Sequence, residues 1–399
     1  MTLDHSIEKN EMKILYLSYT MPKPGEPLKG MFVFNRIKKL FEKNIDLKVV
    51  TTSSPLRGLK NWGRDYSFKD VGFDLDLNVA NLTKIENPYS YMDLFRAKNL
   101  VRLKKIFMKT NCDLVHAQFV RDGYYAYFLK KRYDVPYVVT CQGFDITIVP
   151  SYNQKMRNKT IQILEKADKA IFVSNSLMDK AKSFGYSGKN SRVIPNGFDS
   201  SVFKILKNDA NRIRIRDHSE RVIGFCAALI KRKRADKLPE ILAQVNKIDN
   251  NIRMVIIGDG PCGGEIKKRI KKNGLNGKVL FTGRIEQSEI AKYMNEMDVF
   301  ILPSINEGYP TVVSEAQGCG LPVVCSDAVG VPEAVGDCGM VVKQGENFEK
   351  RFAAEIIKML NNPVSREKIL KRASKYDWDI LVNKEIEVYG EIIDHRNSI

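Results

Sequence analysis

Two glutamates in one short segment are the residues best placed to do chemistry. In PSINEGYPTVVSEAQGCGLPVVCSD, residues 303–327, seven residues separate Glu307 from Glu315. A Gly-Tyr-Pro turn lies between them, and the run after it should open a helix. That spacing predicts one carboxylate in the loop after a strand and the other one or two turns into the following helix. The first-turn N–H groups and the positive pole of such a helix suit a diphosphate. Carboxylates beside it can accept hydrogen bonds from sugar hydroxyls. On spacing alone, the pair fits equally an acid at a helix start and an ordinary surface glutamate. A second constellation is ALIKRKRADKLPEIL, residues 228–242, where a strand ends near Leu229 and Lys231, Arg232, Lys233 and Arg234 follow at once. Four cations at a strand end can hold a departing anion, or can simply be a solvated basic turn. His116, in DLVHAQF (113–119), is one of only four histidines. It is either a catalytic candidate on the rim of a site or a packed strand histidine.

These residues need elements to position them. Short β-branched runs recur at 12–19, 47–52, 113–119, 136–143 and 169–174, with helical spacing over 31–43, 94–109 and 175–184. After about residue 220 the pattern restarts with RVIGFCAAL, RMVIIGDG, KVLFTG, DVFILPS, LPVVCSD and GMVVK. Short apolar strands alternating with helices predict parallel sheets covered on both faces. Two such series in 399 residues predict an α/β chain of two doubly wound domains. The turn-like Asn196-Gly197 marks the expected joint, giving domains of 1–195 and 196–375.

Taken together, these motifs resemble the retaining glycosyltransferases called group 1, or family 4, whose pattern is E-x7-E followed by A-x-x-x-G-x-P-V. Glu307, Glu315, Ala316, Gly320, Pro322 and Val323 match it. VIPNGFD (193–199) is similar to the family's hinge motif, IIGDGP (256–261) to its mid-domain turn and FTGRI (281–285) to its base-pocket strand. The resemblance implies the GT-B fold, two Rossmann-like domains facing each other across a cleft, with residues 376–399 as a helix crossing back to the first domain. It implies that Glu315 accepts the ribose hydroxyls and Glu307 sits near the donor sugar. Gly308, Tyr309, Pro310 and Thr311 would lie beside sugar and phosphate, Arg284 and Ile285 beside the base, and Gly30 against the diphosphate. In the family an Arg and a Lys five positions apart stabilise the leaving group. Lys233 falls on the Lys position, but Ala228 stands on the Arg position, leaving Arg232 or Arg234 as substitutes. The family's His-Gly-x-Asp reads Gln142-Gly143-Phe144-Asp145 here. Gln142 can hydrogen-bond sugar but cannot become cationic, and Asp145 is expected to face the acceptor.

The resemblance therefore implies a hexosyltransferase-type enzyme that moves sugar from a UDP- or GDP-sugar to a glycan or lipid-linked acceptor of bacterial surface polysaccharide. No resident cofactor or metal is expected, since fixed cations can do the work of a metal ion. Asp74-Leu75-Asp76 has the form of a metal-binding Asp-x-Asp but sits away from any fitting motif. The net charge of +18 falls mostly on residues 1–200, which hold 33 Lys and Arg against 20 Asp and Glu. A basic half attracts phosphate or anionic lipid, and the basic amphipathic stretch 94–109 is compatible with an anionic membrane surface or with a solvated domain helix. No apolar run approaches the ~20 residues that span a bilayer, and the polar start is not expected to act as a secretory signal. A cytoplasmic protein, peripheral on the inner membrane face, is expected. Seven scattered cysteines without a CxxC pair read as free thiols. A nucleotide-sugar epimerase of the same two-domain shape is the rival enzyme. A dehydrogenase is disfavoured because no GxGxxG follows either first strand, and nucleic acid is not an expected partner because no reader motif accompanies the charge.

Overall fold

A computed structural model describes residues 12–53, 65–83, 96–206, 213, 215 and 220–398. They form two compact units. The first comprises the described residues within Met1–Ile171, Ala181–Arg192 and Val382–Ile399; the second takes Phe172–Lys180 and the described part of Val193–Leu381. The chain thus lends a short excursion, 172–180, to the second unit before the main crossing at 192/193, a detail that the turn at Asn196-Gly197 does not foretell.

In the first unit, β1 (Lys13–Ser18), α1 (Met31–Glu42), β2 (Asp46–Ser53), β3 (Tyr66–Ser67), β4 (Asn78–Thr83), α2 (Arg96–Thr110) and β5 (Leu114–Gln118) come in turn. Then follow α3 (Val120–Tyr133), β6 (Tyr137–Cys141), α4 (Phe144–Thr147), α5 (Gln154–Lys166), β7 (Lys169–Phe172), α6 (Asn175–Lys182), of which 175–180 belong to the second unit, and β8 (Ser191–Val193). The sheet runs β3-β4-β2-β1-β5-β6-β7-β8, with β1 parallel to both β2 and β5. Every residue of β5 and β6 is buried, as expected where helices cover both faces. β3 and β4 lie in the stretch that reads as merely polar. β4 joins the sheet through Val79, Ala80 and Leu82 despite the two asparagines in NVANLT. The helix expected over 94–109 is described from Arg96; Leu94 and Phe95 lie outside the described residues.

The second unit is built from β9 (Arg221–Cys226), α7 (Leu238–Ile248), β10 (Ile252–Ile257), α8 (Gly263–Lys272), β11 (Val279–Gly283), α9 (Gln287–Met294) and β12 (Val299–Leu302). It continues with α10 (Thr311–Gly318), β13 (Val323–Ser326), α11 (Val331–Val335), β14 (Gly339–Val342), α12 (Phe348–Asn361) and α13 (Arg366–Ala373). α14 (Trp378–Asn397) closes the chain, and from Val382 it belongs to the first unit. The six strands are all parallel in the order β11-β10-β9-β12-β13-β14. Counted along the chain this is 3-2-1-4-5-6, the doubly wound order. It reverses between β9 and β12, and in the first unit between β1 and β5. Loops leaving the carboxyl ends of such strand pairs diverge, and ligands of open α/β sheets bind in the crevice that results.

Candidate functional site

The second unit's reversal point carries the two constellations read from the sequence. After β9 the chain is held onto the β10 turn by hydrogen bonds from Leu229 N–H to the Asp259 carbonyl, 3.0 Å, and from Cys262 N–H to the Leu229 carbonyl, 2.9 Å. It then makes a short 3-10 turn, Lys231–Lys233, and leaves through Arg234 in the left-handed region. After β12 comes the loop 303–310. The two loops are joined directly, since Ile305 N–H donates to the Arg232 carbonyl at 2.8 Å.

That join sets the charges. Glu307 is buried, and the Lys233 ammonium pairs with its Oε1. Arg232 Nη1 stands 3.4 Å from Oε2 of the same carboxylate and donates to the Asn306 carbonyl at 2.9 Å. Two cations around one carboxylate leave an excess of positive charge, a field suited to a diphosphate. Arg234 goes elsewhere: it donates to the Pro303 carbonyl and Gln344 Oε1, both at 3.2 Å, and lies over the Phe348 ring at 4.1 Å. Of the two candidates to replace the cation absent at Ala228, the structure brings Arg232 to Glu307 and uses Arg234 as a strut.

The loop around Glu307 is clamped. Gly330 N–H donates to the Glu307 carbonyl at 3.1 Å, and Ser174 Oγ–H to the Gly308 carbonyl at 2.9 Å. A Cβ on Gly330 would fall 1.7 Å from the Gly308 oxygen, so only glycine allows this approach. Neither Ser174 nor Gly330 stood out in sequence. A Gly-x-Pro after a strand was a usable signal for Gly330, whereas Ser174 had none. Tyr309 and Pro310 are buried and Thr311 opens α10 half-buried. Past β11, Arg284 is exposed and Ile285 half-buried.

Glu315 is the fifth residue of α10 and half-buried. Burial pushes its carboxyl up to about 7. Both it and Lys233 act electrostatically on the Cys226 thiol at the end of β9, so the two share one neighbourhood. A carboxyl raised in the folded state takes up its proton more readily there than in the unfolded chain. Folding should therefore lose stability as pH rises from the ordinary glutamate range to about 7. Glu315→Gln should remove that loss, gaining on the order of 1–3 kcal/mol over wild type at pH 8 and nothing at pH 4. Thermal unfolding of both proteins across that range checks it; parallel pH profiles would contradict it.

In the first unit, Gly30 precedes α1 with φ +69°, and a Cβ there would meet Thr20 and Met21 at 2.8 Å. This glycine lets the loop after β1 fold back on itself at the reversal point. Gln142 is half-buried just beyond β6, and its amide donates to Gln118 Oε1 at 2.8 Å. Two expectations need correction. Asp145 does not face outward: its carboxylate is buried and accepts from the backbone N–H groups of Val120 (3.0 Å), Gly143 (2.9 Å) and Gln142 (3.2 Å). It shapes the loop rather than offering itself to a ligand. His116 is on no rim. It lies inside β5 at 0% exposure, with Thr140 Oγ1 2.8 Å from Nε2 and Tyr389 at Nδ1. Both ring nitrogens are used within the fold, which removes it from the catalytic set. Asp74 and Asp76 are exposed before β4, and Asp76 pairs with Lys69 at 3.2 Å.

Comparisons with known proteins bear on the family and the fold. The family described as Glycosyl transferases group 1 matches residues 207–376, and that described as Glycosyltransferase Family 4 matches residues 29–202. TuaC of Bacillus subtilis (strain 168), named for teichuronic acid biosynthesis, is 27% identical over 342 residues, spanning 82% of this chain and 83% of its own. An Escherichia coli protein named UDP-Gal:alpha-D-GlcNAc-diphosphoundecaprenol alpha-1,3-galactosyltransferase is 28% identical, spanning 58% of this chain and 62% of its own. Among solved structures, Anabaena HepE in complex with UDP and glucose superposes with a TM-score of 0.73 at 20% identity, covering 98% of this chain and 100% of that one.

Proposed function

The chain belongs to the group 1 glycosyltransferases, and on that premise we propose that it transfers a sugar from a UDP- or GDP-sugar, with retention, to a glycan or lipid-linked acceptor of a bacterial surface polysaccharide. The observation that carries this reading is the buried Glu307 held between Lys233 and Arg232 at the second unit's reversal point. UDP is favoured as the donor nucleotide because it appears with HepE and in the name of the galactosyltransferase relative.

The chemistry follows from the charges. Glu315, once ionised, accepts the ribose hydroxyls, and the first turn of α10 with Gly308–Thr311 borders the diphosphate and sugar. Arg284 and Ile285 border the base. Glu307 accepts from the donor sugar's hydroxyls. As the bond from the anomeric carbon to the phosphate oxygen breaks, that oxygen gains negative charge, which Lys233 and Arg232 stabilise in place. The acceptor hydroxyl attacks from the same face, its oxygen bonding to the anomeric carbon and its proton passing to the leaving phosphate oxygen. Two fixed cations supply the charge that a divalent ion would otherwise bring, so activity is expected to persist in EDTA.

We place the protein at an anionic membrane surface in the cytoplasm. Support comes from α2, whose Val101 and Met108 are exposed and flanked by exposed Lys98, Lys104, Lys105 and Lys109. Among the described residues no helix is long and apolar enough to cross a membrane.

The test is a thermal-shift series with UDP-glucose, UDP-galactose, GDP-mannose and ADP-glucose, followed by product analysis without acceptor. One donor class should raise Tm in proportion to its affinity and be hydrolysed only slowly. Interconversion of free nucleotide sugars would mark an epimerase, and no shift with any donor would end the reading.

A further inference from the structure

The two peptide units that flank Gly308 are each anchored by the carbonyl. That of Glu307 accepts from Gly330 N–H at 3.1 Å, and that of Gly308 from Ser174 Oγ–H at 2.9 Å. Both anchors lie on one side of the loop, since a Cβ on Gly330 would fall 1.7 Å from the Gly308 oxygen and 2.8 Å from Ser174 Oγ. Both peptides are trans, so each N–H points opposite to its carbonyl. The N–H groups of Gly308 and Tyr309 therefore both face away from Gly330 and Ser174. The two residues are buried, and among the described residues neither N–H has a hydrogen-bond partner. Buried backbone donors are rarely left so, and two in succession suit the oxygens of a ligand.

Ser174 is held in its turn. A serine hydroxyl has one hydrogen; here it goes to Gly308, while the oxygen accepts from Leu177 N–H at 3.2 Å. Asn175 and Ser176, the first two residues of α6, lie against Glu333 of α11. Glu333 Oε2 accepts from the backbone and side-chain nitrogens of Asn175 at 2.8 and 2.9 Å. Its Oε1 accepts from Ser176 N–H at 2.8 Å and from the Ser176 hydroxyl at 2.7 Å. Burial pushes the Glu333 carboxyl up, but the Ser176 and Asn175 donors outweigh it and hold the group below the usual range. An ionised carboxylate thus ties the start of α6 to the helix that follows Gly330. All of these residues belong to the second unit, which takes 172–180 from the first half of the chain.

We propose that Glu333 and Ser174 are positioning residues of the donor site. Glu333 fixes the start of α6, α6 fixes the Ser174 hydroxyl, and Ser174 turns the Gly308 carbonyl inward. The Gly308 and Tyr309 N–H groups are thereby presented together to acceptor oxygens of the donor beyond its first phosphate. That end of the donor is the one concerned because Glu307, one residue along, meets Lys233 and Arg232. The inference rests on the glycosyltransferase reading for the identity of the ligand.

Calorimetry on the full chain with UMP, UDP and UDP-glucose tests it. GMP, GDP and GDP-mannose are run alongside, and the series that wild type binds more tightly is compared. Ser174→Ala and Glu333→Ala should each weaken the sugar nucleotide by about tenfold, roughly the contribution of one hydrogen bond, and leave the monophosphate unchanged. A loss that enters with the diphosphate places the two N–H groups on phosphate; one that enters only with the sugar nucleotide places them on sugar. The double variant should bind no more weakly than Ser174→Ala alone, because Glu333 acts through Ser174. Glu333→Gln keeps one acceptor oxygen and should fall between wild type and Ser174→Ala, which supplies the reading should Glu333→Ala fail to fold.

Equal losses for monophosphate and sugar nucleotide, additive losses in the double variant, or unchanged affinities would overturn this role for Glu333 and Ser174 while leaving the transferase reading intact. A wild type that binds neither series would end both.

Discussion

Glu307→Ala is expected to lower kcat for sugar transfer by at least about 10³-fold while nucleotide binding survives. An interaction made by a preorganised group at the reacting centre contributes roughly 3–4 kcal/mol, which is that factor. Two features make Glu307 the most sensitive position. Its carboxylate is buried at the reversal point and meets two cations at once. Its backbone, held by Gly330, keeps the loop in place whatever the side chain becomes. Removing the carboxylate frees Lys233 and Arg232, so UDP should bind as well as before or somewhat more tightly. Steady-state turnover and calorimetric titration with UDP check both halves. Undiminished turnover in a folded protein would take Glu307 out of the mechanism.

The next largest effect is expected at Lys233. Lys233→Ala should lower kcat by about 10²–10³-fold, the cost of losing one donor aimed at developing charge. Arg232→Ala should cost less, about tenfold, because its side chain is 45% exposed and its charge is better screened. Arg234→Ala gives the contrast that makes the series informative. Its contacts are Pro303, Gln344 and Phe348, so it should lower Tm and leave kcat nearly unchanged. If instead Arg234→Ala had the largest effect on kcat and Lys233→Ala the smallest, the assignment of the cationic pair would be wrong.

The strands of the second unit were legible in the sequence. Its central strands are short, apolar and almost wholly covered, so RVIGFC, VFIL and VVCS announce themselves. Its charged residues follow strand ends, where an α/β sheet puts its chemistry. The resemblance singled out Lys233, but whether Arg232 or Arg234 joins it at Glu307 could not be read. That choice depends on the 3-10 turn and the left-handed Arg234, conformations that basic residues do not signal. In the first unit β4 was missed because Asn78 and Asn81 dilute its alternation. His116 was misplaced for a different reason. A histidine near a strand end looks like a site residue when its neighbours are known only along the chain, and the groups that bury it, Glu385 and Tyr389, lie more than 260 positions away.

We propose that Glu315, Lys233 and Arg232 grip one nucleotide at the carboxyl ends of β9 and β12. A crystal structure of the protein soaked with UDP tests this most directly. The diphosphate should lie within hydrogen-bond distance of Lys233 and Arg232, with the ribose hydroxyls on Glu315. UDP bound elsewhere, with these three side chains untouched, would contradict it.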